Sequence, residues 1–134
     1  MSLRDPRVEE FENKLKAVFD RIDDRLEEKY GRTYPLHPAR ARRGTTSDPE
    51  QDGLFNIGAA FSAGYGSEIG RSYVVDVRMV TLNRIPREVR EKIEDEVVDM
   101  LREELPEAFP DRTLHVARDG HGYRIYGDLS IGTT

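Results

Sequence analysis

The chain has 134 residues, a formal net charge of −5 and no cysteine. This length can bury one hydrophobic core without disulfides or metals, so a single domain over residues 1–134 is expected. The missing cysteines exclude disulfides, thiolate zinc sites and cysteine nucleophiles, and the overall acidity disfavours non-specific DNA binding, which depends on phosphate neutralisation.

A first helix is predicted to begin at Pro6. Asp5 and Pro6 have the order of a capping acid followed by proline at the first helical position. Apolar residues then recur at spacings of three and four as far as Tyr30, which is typical of an amphipathic helix that ends near Gly31. Residues 1–4 are expected to be a disordered leader.

Residues 31–53 are expected to form a long irregular loop, because prolines and glycines recur along them. Their first part carries a basic cluster, since residues 31–47 contain four arginines and no acid. Loops of this length are either functional or disordered, and both interpretations stay open. We expect Tyr34 and Leu36 to attach the beginning of the loop to the body, while its arginine-rich part stays mobile as a flexible arm. The arginines of this arm are Arg40, Arg42 and Arg43.

The stretch from Phe55 to Gly66 predicts a strand with two different faces. Its odd positions are apolar and its even positions are small, and alternate residues of a strand point to opposite sides of a sheet. The apolar positions are Phe55, Ile57, Ala59, Phe61, Ala63 and Tyr65. A turn at residues 66–70 and a second strand from Ser72 to Leu82 would complete a hairpin. Glycine inside a strand often marks a close approach of another backbone or a ligand, so the small face is a candidate contact surface.

A second helix is predicted to begin at Pro86 and to end around Pro106, since apolar residues between them keep helical spacing. Asp119 and Gly120 then form the pair preferred in a two-residue hairpin turn. The strand pairs that follow from this turn are Val116 with Tyr123, Leu114 with Ile125, His115 with Arg124 and Ala117 with Gly122. The Gly-His-Gly sequence after Asp119 leaves a turn shifted by one or two residues open as well.

The predicted order is therefore helix, strand, strand, helix, strand, strand, which is an α+β arrangement with an antiparallel sheet of about four strands. Both helices have one apolar face, so both are expected to pack on the same face of the sheet. The strand residues expected on that face are Phe55, Ile57, Phe61, Val75, Val77, Leu114, Val116, Tyr123 and Ile125.

Catalytic and metal-binding motifs find little support in the sequence. A strand, not a helix, follows the glycines at positions 64, 66 and 70, so a hairpin turn is favoured over a phosphate-binding loop. His115 and His121 would point to opposite faces of their hairpin, so we predict no metal site and no cofactor. Asp76 beside Arg78 is more simply a structural ion pair than a general base.

Three functions stay open. The first is a non-enzymatic protein-interaction or homodimerisation module that uses the small-residue face, with the contact residues Gly58, Ala60, Ser62, Gly64, Val74 and Val80. The second is weak binding of RNA, single-stranded nucleic acid or another anion, with the contact residues Arg40, Arg42, Arg43, Arg78, His115, Arg124 and Tyr126. The third, less supported, is an enzyme with a site near Asp76 and His115. A cytoplasmic location without a membrane partner is expected, since no apolar run approaches the roughly 20 residues that cross a bilayer.

Overall fold

A computed structural model describes residues 5–64, 69–120 and 122–129 of the chain. Helix α1 spans Pro6–Tyr30, strand β1 Phe55–Ser62, strand β2 Ser72–Met79, helix α2 Arg87–Ala108, strand β3 Leu114–Asp119 and strand β4 Gly122–Gly127. A short 3₁₀ turn covers Pro49–Gln51. The predicted α+β class and element order are confirmed. The predicted leader (residues 1–4), the end of the predicted first strand with most of its turn (residues 65–68), and His121 lie outside the described residues.

The sheet is antiparallel throughout and has the strand order β1-β2-β4-β3. Each helix is followed by a hairpin, so the chain consists of two helix-strand-strand units whose second strands, β2 and β4, meet at the centre. The central strands share three residue pairs, which are Tyr73 with Ile125, Val74 with Arg124 and Val75 with Tyr123. Consequently β1 and β3 are the two edge strands.

Helix α1 has the predicted beginning and end. The Asp5 carboxylate accepts a hydrogen bond from the Arg7 backbone N–H at 2.8 Å, and Pro6 occupies the first turn. The backbone N–H of Gly31 closes the last turn on the carbonyl of Glu27. Helix α2 continues two residues past its predicted end at Pro106, because a proline near the last turn removes one hydrogen bond without ending the helix.

Both helices cover the same face of the sheet, as predicted. The side chains buried between the two layers come from both helices and all four strands, and burying a large apolar side chain contributes about 1.5–3 kcal/mol. Among the most buried are Phe19, Ile22, Leu26, Phe55, Ile57, Ile93, Leu101 and Ile125. The prediction that Phe61 is buried under the helices is wrong. Its side chain points to the covered side of the sheet but is 52% exposed, because it lies near the end of an edge strand, beside Tyr73 and away from the centre of the core.

The register of the C-terminal hairpin differs by two residues from the prediction. Asp119 pairs with Gly122 and Val116 with Ile125, so Asp119 belongs to strand β3 and not to the turn. Gly120 takes a φ of 65°, a conformation that glycine adopts without steric cost, so it favours the later turn. A shift of two residues keeps each side chain on its face, so the predicted sides hold while the partners change.

Candidate functional site: the open sheet face

The face of the sheet opposite the helices has no secondary-structure layer over it among the described residues. We call this surface the open face. Along β1 and β2 it pairs Gly58 with Asp76 and Ala60 with Val74, and β4 adds Arg124 opposite Val74. Its described residues are Asn56, Gly58, Ala60, Ser62, Ser72, Val74, Asp76, Arg78, Gly122, Arg124, Tyr126, His115, Ala117 and Asp119.

Four of the six predicted contact residues lie together on this face, and two lie beyond the strands. Val80 follows β2, where its N–H donates to Leu54 and its carbonyl accepts from His37. Gly64 follows β1 with a φ of 88°, and a Cβ there would lie 2.1 Å from the carbonyl carbon of Gly70. Gly64 therefore serves the close approach of two backbone segments in the first hairpin.

Gly58 does mark a close approach, and the approaching group belongs to the chain itself. A Cβ at this position would lie 2.7 Å from Oε1 of Glu50, which projects from the 3₁₀ turn at Pro49–Gln51. Its other carboxylate oxygen, Oε2, is 3.7 Å from Nζ of Lys16 on α1. The Glu50 carboxylate thus stands at the outer edge of β1.

The charges of the open face are arranged as neighbouring opposite pairs. Arg78 lies 2.9 Å from Asp76, with both side chains well exposed, and Arg124 lies 2.5 Å from Asp119. Arg124 also donates to the buried Ser72 hydroxyl at 2.8 Å. Each arginine of the face therefore has a carboxylate beside it, which reduces its availability for a phosphate.

Asp76 and His115 are not brought together. They lie on β2 and β3, which β4 separates, and the strand registers place them about four residues apart along the strands. With a strand spacing near 4.8 Å and a rise near 3.3 Å per residue, their backbones are about 15 Å apart. His115 instead faces Tyr126, with ring centroids 5.2 Å apart. The registers thus give no shared site for these two residues.

The arginine-rich loop is not the flexible arm that was expected. The guanidinium of Arg40 donates to the carbonyls of Glu50, Asp52, Gly53 and Phe55 at 2.7–3.1 Å. These four carbonyls need donors where the loop turns into β1, and one planar guanidinium supplies them. Arg40 is therefore a structural residue, whereas Arg42 is exposed.

Arg43 joins the loop to helix α1 through a buried group of carboxylates. It lies 2.9 Å from Asp23, 3.3 Å from Asp52 and also in contact with Asp24. Asp23 is 1% exposed, and its Oδ2 has no hydrogen-bond partner among the described residues. Burial raises the pKa of Asp23 to about 7, although the neighbouring Arg43 acts in the opposite direction.

Asp52 differs from Asp23 because it is fully hydrogen-bonded. Burial acts to raise its pKa, but hydrogen bonds from Thr46 and Gly44 outweigh burial and leave the pKa below its usual value. Sequence reasoning missed this group of carboxylates. The one sign of this group in the sequence is Asp23, a charged residue that directly follows Ile22 on the apolar side of the first helix.

Neither a metal centre nor a membrane span is found in the part of the chain that the structure describes. No group of three or more histidine, aspartate or glutamate side chains there has the arrangement of a metal site. No described helix combines the length and apolar character needed to cross a bilayer.

Comparison with known proteins gives a family. A family profile described as "Uncharacterised protein" matches residues 6–127. An "Uncharacterized protein" from Borreliella burgdorferi (strain ATCC 35210 / DSM 4680 / CIP 102532 / B31) is 36% identical over 121 residues, covering 90% of this chain and 94% of the relative. No solved structure matches the chain. The matched region runs from the first turn of α1 to the end of β4, and the chain belongs to this family of uncharacterised proteins.

Proposed function

We propose that this protein is a non-enzymatic interaction module, and that the open face of its sheet is covered by a second copy of the chain. The observation that carries the proposal is the four-stranded face itself, which no described element covers. Symmetric dimers are the commonest soluble oligomers, and their interface uses the same surface of both subunits.

The charges of the open face suit a second copy. Two aspartates and two arginines lie on it as the neighbouring pairs Asp76–Arg78 and Asp119–Arg124. A surface with both signs in equal number can be complementary to itself, since a two-fold rotation can bring each acid toward an arginine of the other copy. A nucleic acid would gain less here, because it needs unpaired positive charge.

The small side chains of the face suit close contact between two sheets. Gly58 and Ala60 lie on β1, and Val74 of β2 pairs with Ala60. Ala117 lies on β3, on the other side of β4. Facing sheets pack about 10 Å apart, and small residues at the centre permit this distance without rearrangement of larger side chains. Arg124 lies between Val74 and Ala117 on the central strand β4, where its side chain contacts Asp119 and Ser72. The remaining polar residues would form the rim of the interface.

Solution mass tests the proposal. We expect a particle of about 31 kDa, twice the 15.4 kDa of the chain, by size-exclusion chromatography with light scattering at micromolar concentrations. Ala60→Glu should convert this particle into a folded monomer, because it places two unpaired carboxylates near the symmetry axis.

A matched control is Ala17→Glu, which introduces the same change at an exposed position of α1, away from the open face. This variant should keep the mass of the wild-type protein. A wild-type monomer up to about 1 mM, or an Ala60→Glu protein that remains dimeric, would contradict the proposal.

A further inference from the structure

Strand β1 is an edge strand with free main-chain groups. The N–H of Val80 donates to the carbonyl of Leu54 at 2.7 Å, so Leu54 faces β2, and by alternation Gly58 and Ala60 also face β2. The carbonyl of Phe55 points the other way, where Arg40 binds it. Ile57, Ala59 and Phe61 therefore direct their N–H and C=O groups outward, where they meet no hydrogen-bond partner among the described residues.

A groove runs beside these outward groups, between β1 and helix α1. Its volume is 430 Å³, and its walls include Lys16 and Asn13 of the helix and residues 57–61 of the strand. Next to it lies a mainly apolar depression of 330 Å³, which shares Phe61 with the groove. The depression is lined by Val8, Phe11, Glu12, Phe61, Arg71, Tyr73 and Leu129.

The two edges of the sheet differ in their side chains. Strand β1 contains no charged residue and no proline over eight residues, whereas β3 contains His115, Arg118 and Asp119. Charges and prolines on an edge strand protect it from pairing with other chains. By this criterion β3 is protected by its own side chains, while β1 has no charge of its own and depends on neighbouring groups such as the Glu50 carboxylate beside Gly58.

The charge beside the β1 edge is negative. Lys16 lies within 4 Å of three carboxylates, those of Asp20, Asp48 and Glu50, and Glu12 lines the same groove. Three carboxylates thus lie around one ammonium group, and the Glu12 carboxylate adds to the negative charge of the groove. A second copy of β1 brings no cation to this place, and two Glu50 carboxylates would approach each other across the axis of such a pair.

We propose that the free edge of β1 binds an extended segment of a partner protein as an additional antiparallel strand, with a lysine or arginine beside Glu50 and an apolar side chain at the Phe61 end. Main-chain hydrogen bonds to Ile57, Ala59 and Phe61 hold the segment. Its apolar side chain enters the depression at Phe61, and its cation meets the carboxylates around Lys16. The outer edge of β1 adjoins the open face, since Gly58 and Ala60 line the groove as well.

A short synthetic peptide tests this inference. The probe is an acetylated and amidated octapeptide of alternating threonine and valine, with one leucine near its amino end and one lysine near its carboxyl end. In solution with the full chain, saturating peptide should slow the amide hydrogen exchange of Ile57, Ala59 and Phe61 about tenfold or more. The same peptide N-methylated at alternate residues should give no slowing, because it lacks the donors of a strand.

Variants separate strand pairing from unspecific adhesion. Ala59→Pro removes one outward N–H without removing a bond to β2 and should abolish peptide binding. Arg118→Pro, the matched change on the β3 edge, should leave peptide binding intact.

Glu50→Lys should weaken binding of the lysine peptide about two- to fivefold and strengthen binding of a peptide with glutamate in place of the lysine. Phe61→Ala, which leaves the β1 backbone unchanged, should also weaken binding by emptying the apolar depression.

Three results would overturn the inference. One is no slowing of exchange at 2 mM peptide, and another is equal binding by the wild-type and Glu50→Lys proteins. The third is slowing of exchange at Ile57, Ala59 and Phe61 that rises with protein concentration when no peptide is present. That third result would identify a second copy of β1 as the occupant.

Discussion

At the scale of single residues, Asp23 is the position where burial and charge oppose each other. Its carboxyl is nearly inaccessible, one oxygen faces Arg43 at 2.9 Å, and the other has no partner among the described residues. Beside it stand the carboxylates of Asp24 and Glu27, both of which make ionisation of Asp23 less favourable. Burial is the largest effect and raises the pKa to about 7.

The raised pKa of Asp23 predicts a stability that falls with rising pH. The unfolded chain releases this proton near pH 4, whereas the folded chain keeps it to about pH 7, so the folded state binds more protons between these values. Between pH 5 and 7.5 the wild-type protein should therefore lose about 2–3 kcal/mol of unfolding free energy relative to Asp23→Asn. Urea unfolding of both proteins at the two pH values measures the difference.

Carboxylates with lowered pKa values, such as Asp48 and Asp52, do not disturb this measurement, because their contributions are lost only at more acid pH. Titrating groups that both proteins share cancel in the comparison. Equal pH dependence of the two proteins would mean that Asp23 is ionised in the folded state throughout this range.

At the scale of elements, the loop between α1 and β1 depends on Arg40. Truncating its side chain leaves the carbonyls of Glu50, Asp52, Gly53 and Phe55 without their donor. Arg40→Ala should therefore lower the unfolding free energy by about 2–4 kcal/mol, whereas Arg42→Ala at an exposed position should change it by less than about 0.5 kcal/mol. Thermal or urea unfolding checks both values, and equal stability of the two variants would contradict the structural role of Arg40.

The elements show what the sequence could predict. Alternation along β1 and β2 predicted the hairpin and its faces, and helical periodicity predicted both helices, because these patterns are local. The C-terminal turn was placed one residue early, which changes each strand partner by two residues, since both Asp119-Gly120 and the residues after it suit a tight turn. The loop contacts could not be predicted, because Arg40 and Arg43 bind groups chosen by the tertiary arrangement, such as Asp23 on the helix.

At the scale of the whole molecule, the open face follows from the number of layers. In the part of the chain that the structure describes, two helices over four strands make two layers, so one side of the sheet has no layer over it. The alternation in β1 predicted the small residues of that side, and the structure places Gly58, Ala60 and Ser62 on it. The grouping of Asp119 with Arg124 could not be read from the sequence, because it depends on the register of the last hairpin.

The two helix-strand-strand units should also tolerate circular permutation, in which the second unit precedes the first along the chain. Val8 and Leu129, near the two ends of the described chain, line the same depression beside Phe61. A linker of about six glycine and serine residues spans roughly 13 Å and should join residue 129 to residue 5. Leu82 and Asn83 are exposed between the units, so the chain can be opened there.

Such a circular permutant exchanges the positions of the two units along the chain and keeps every strand neighbour. It should therefore show the far-ultraviolet circular dichroism of the parent and a melting temperature within several degrees of it. A permutant opened inside β2 instead interrupts the central strand and should not fold. This result would show that the fold does not depend on which two ends the connecting segment joins. The pairing of β2 with β4 would then form whichever unit comes first along the chain.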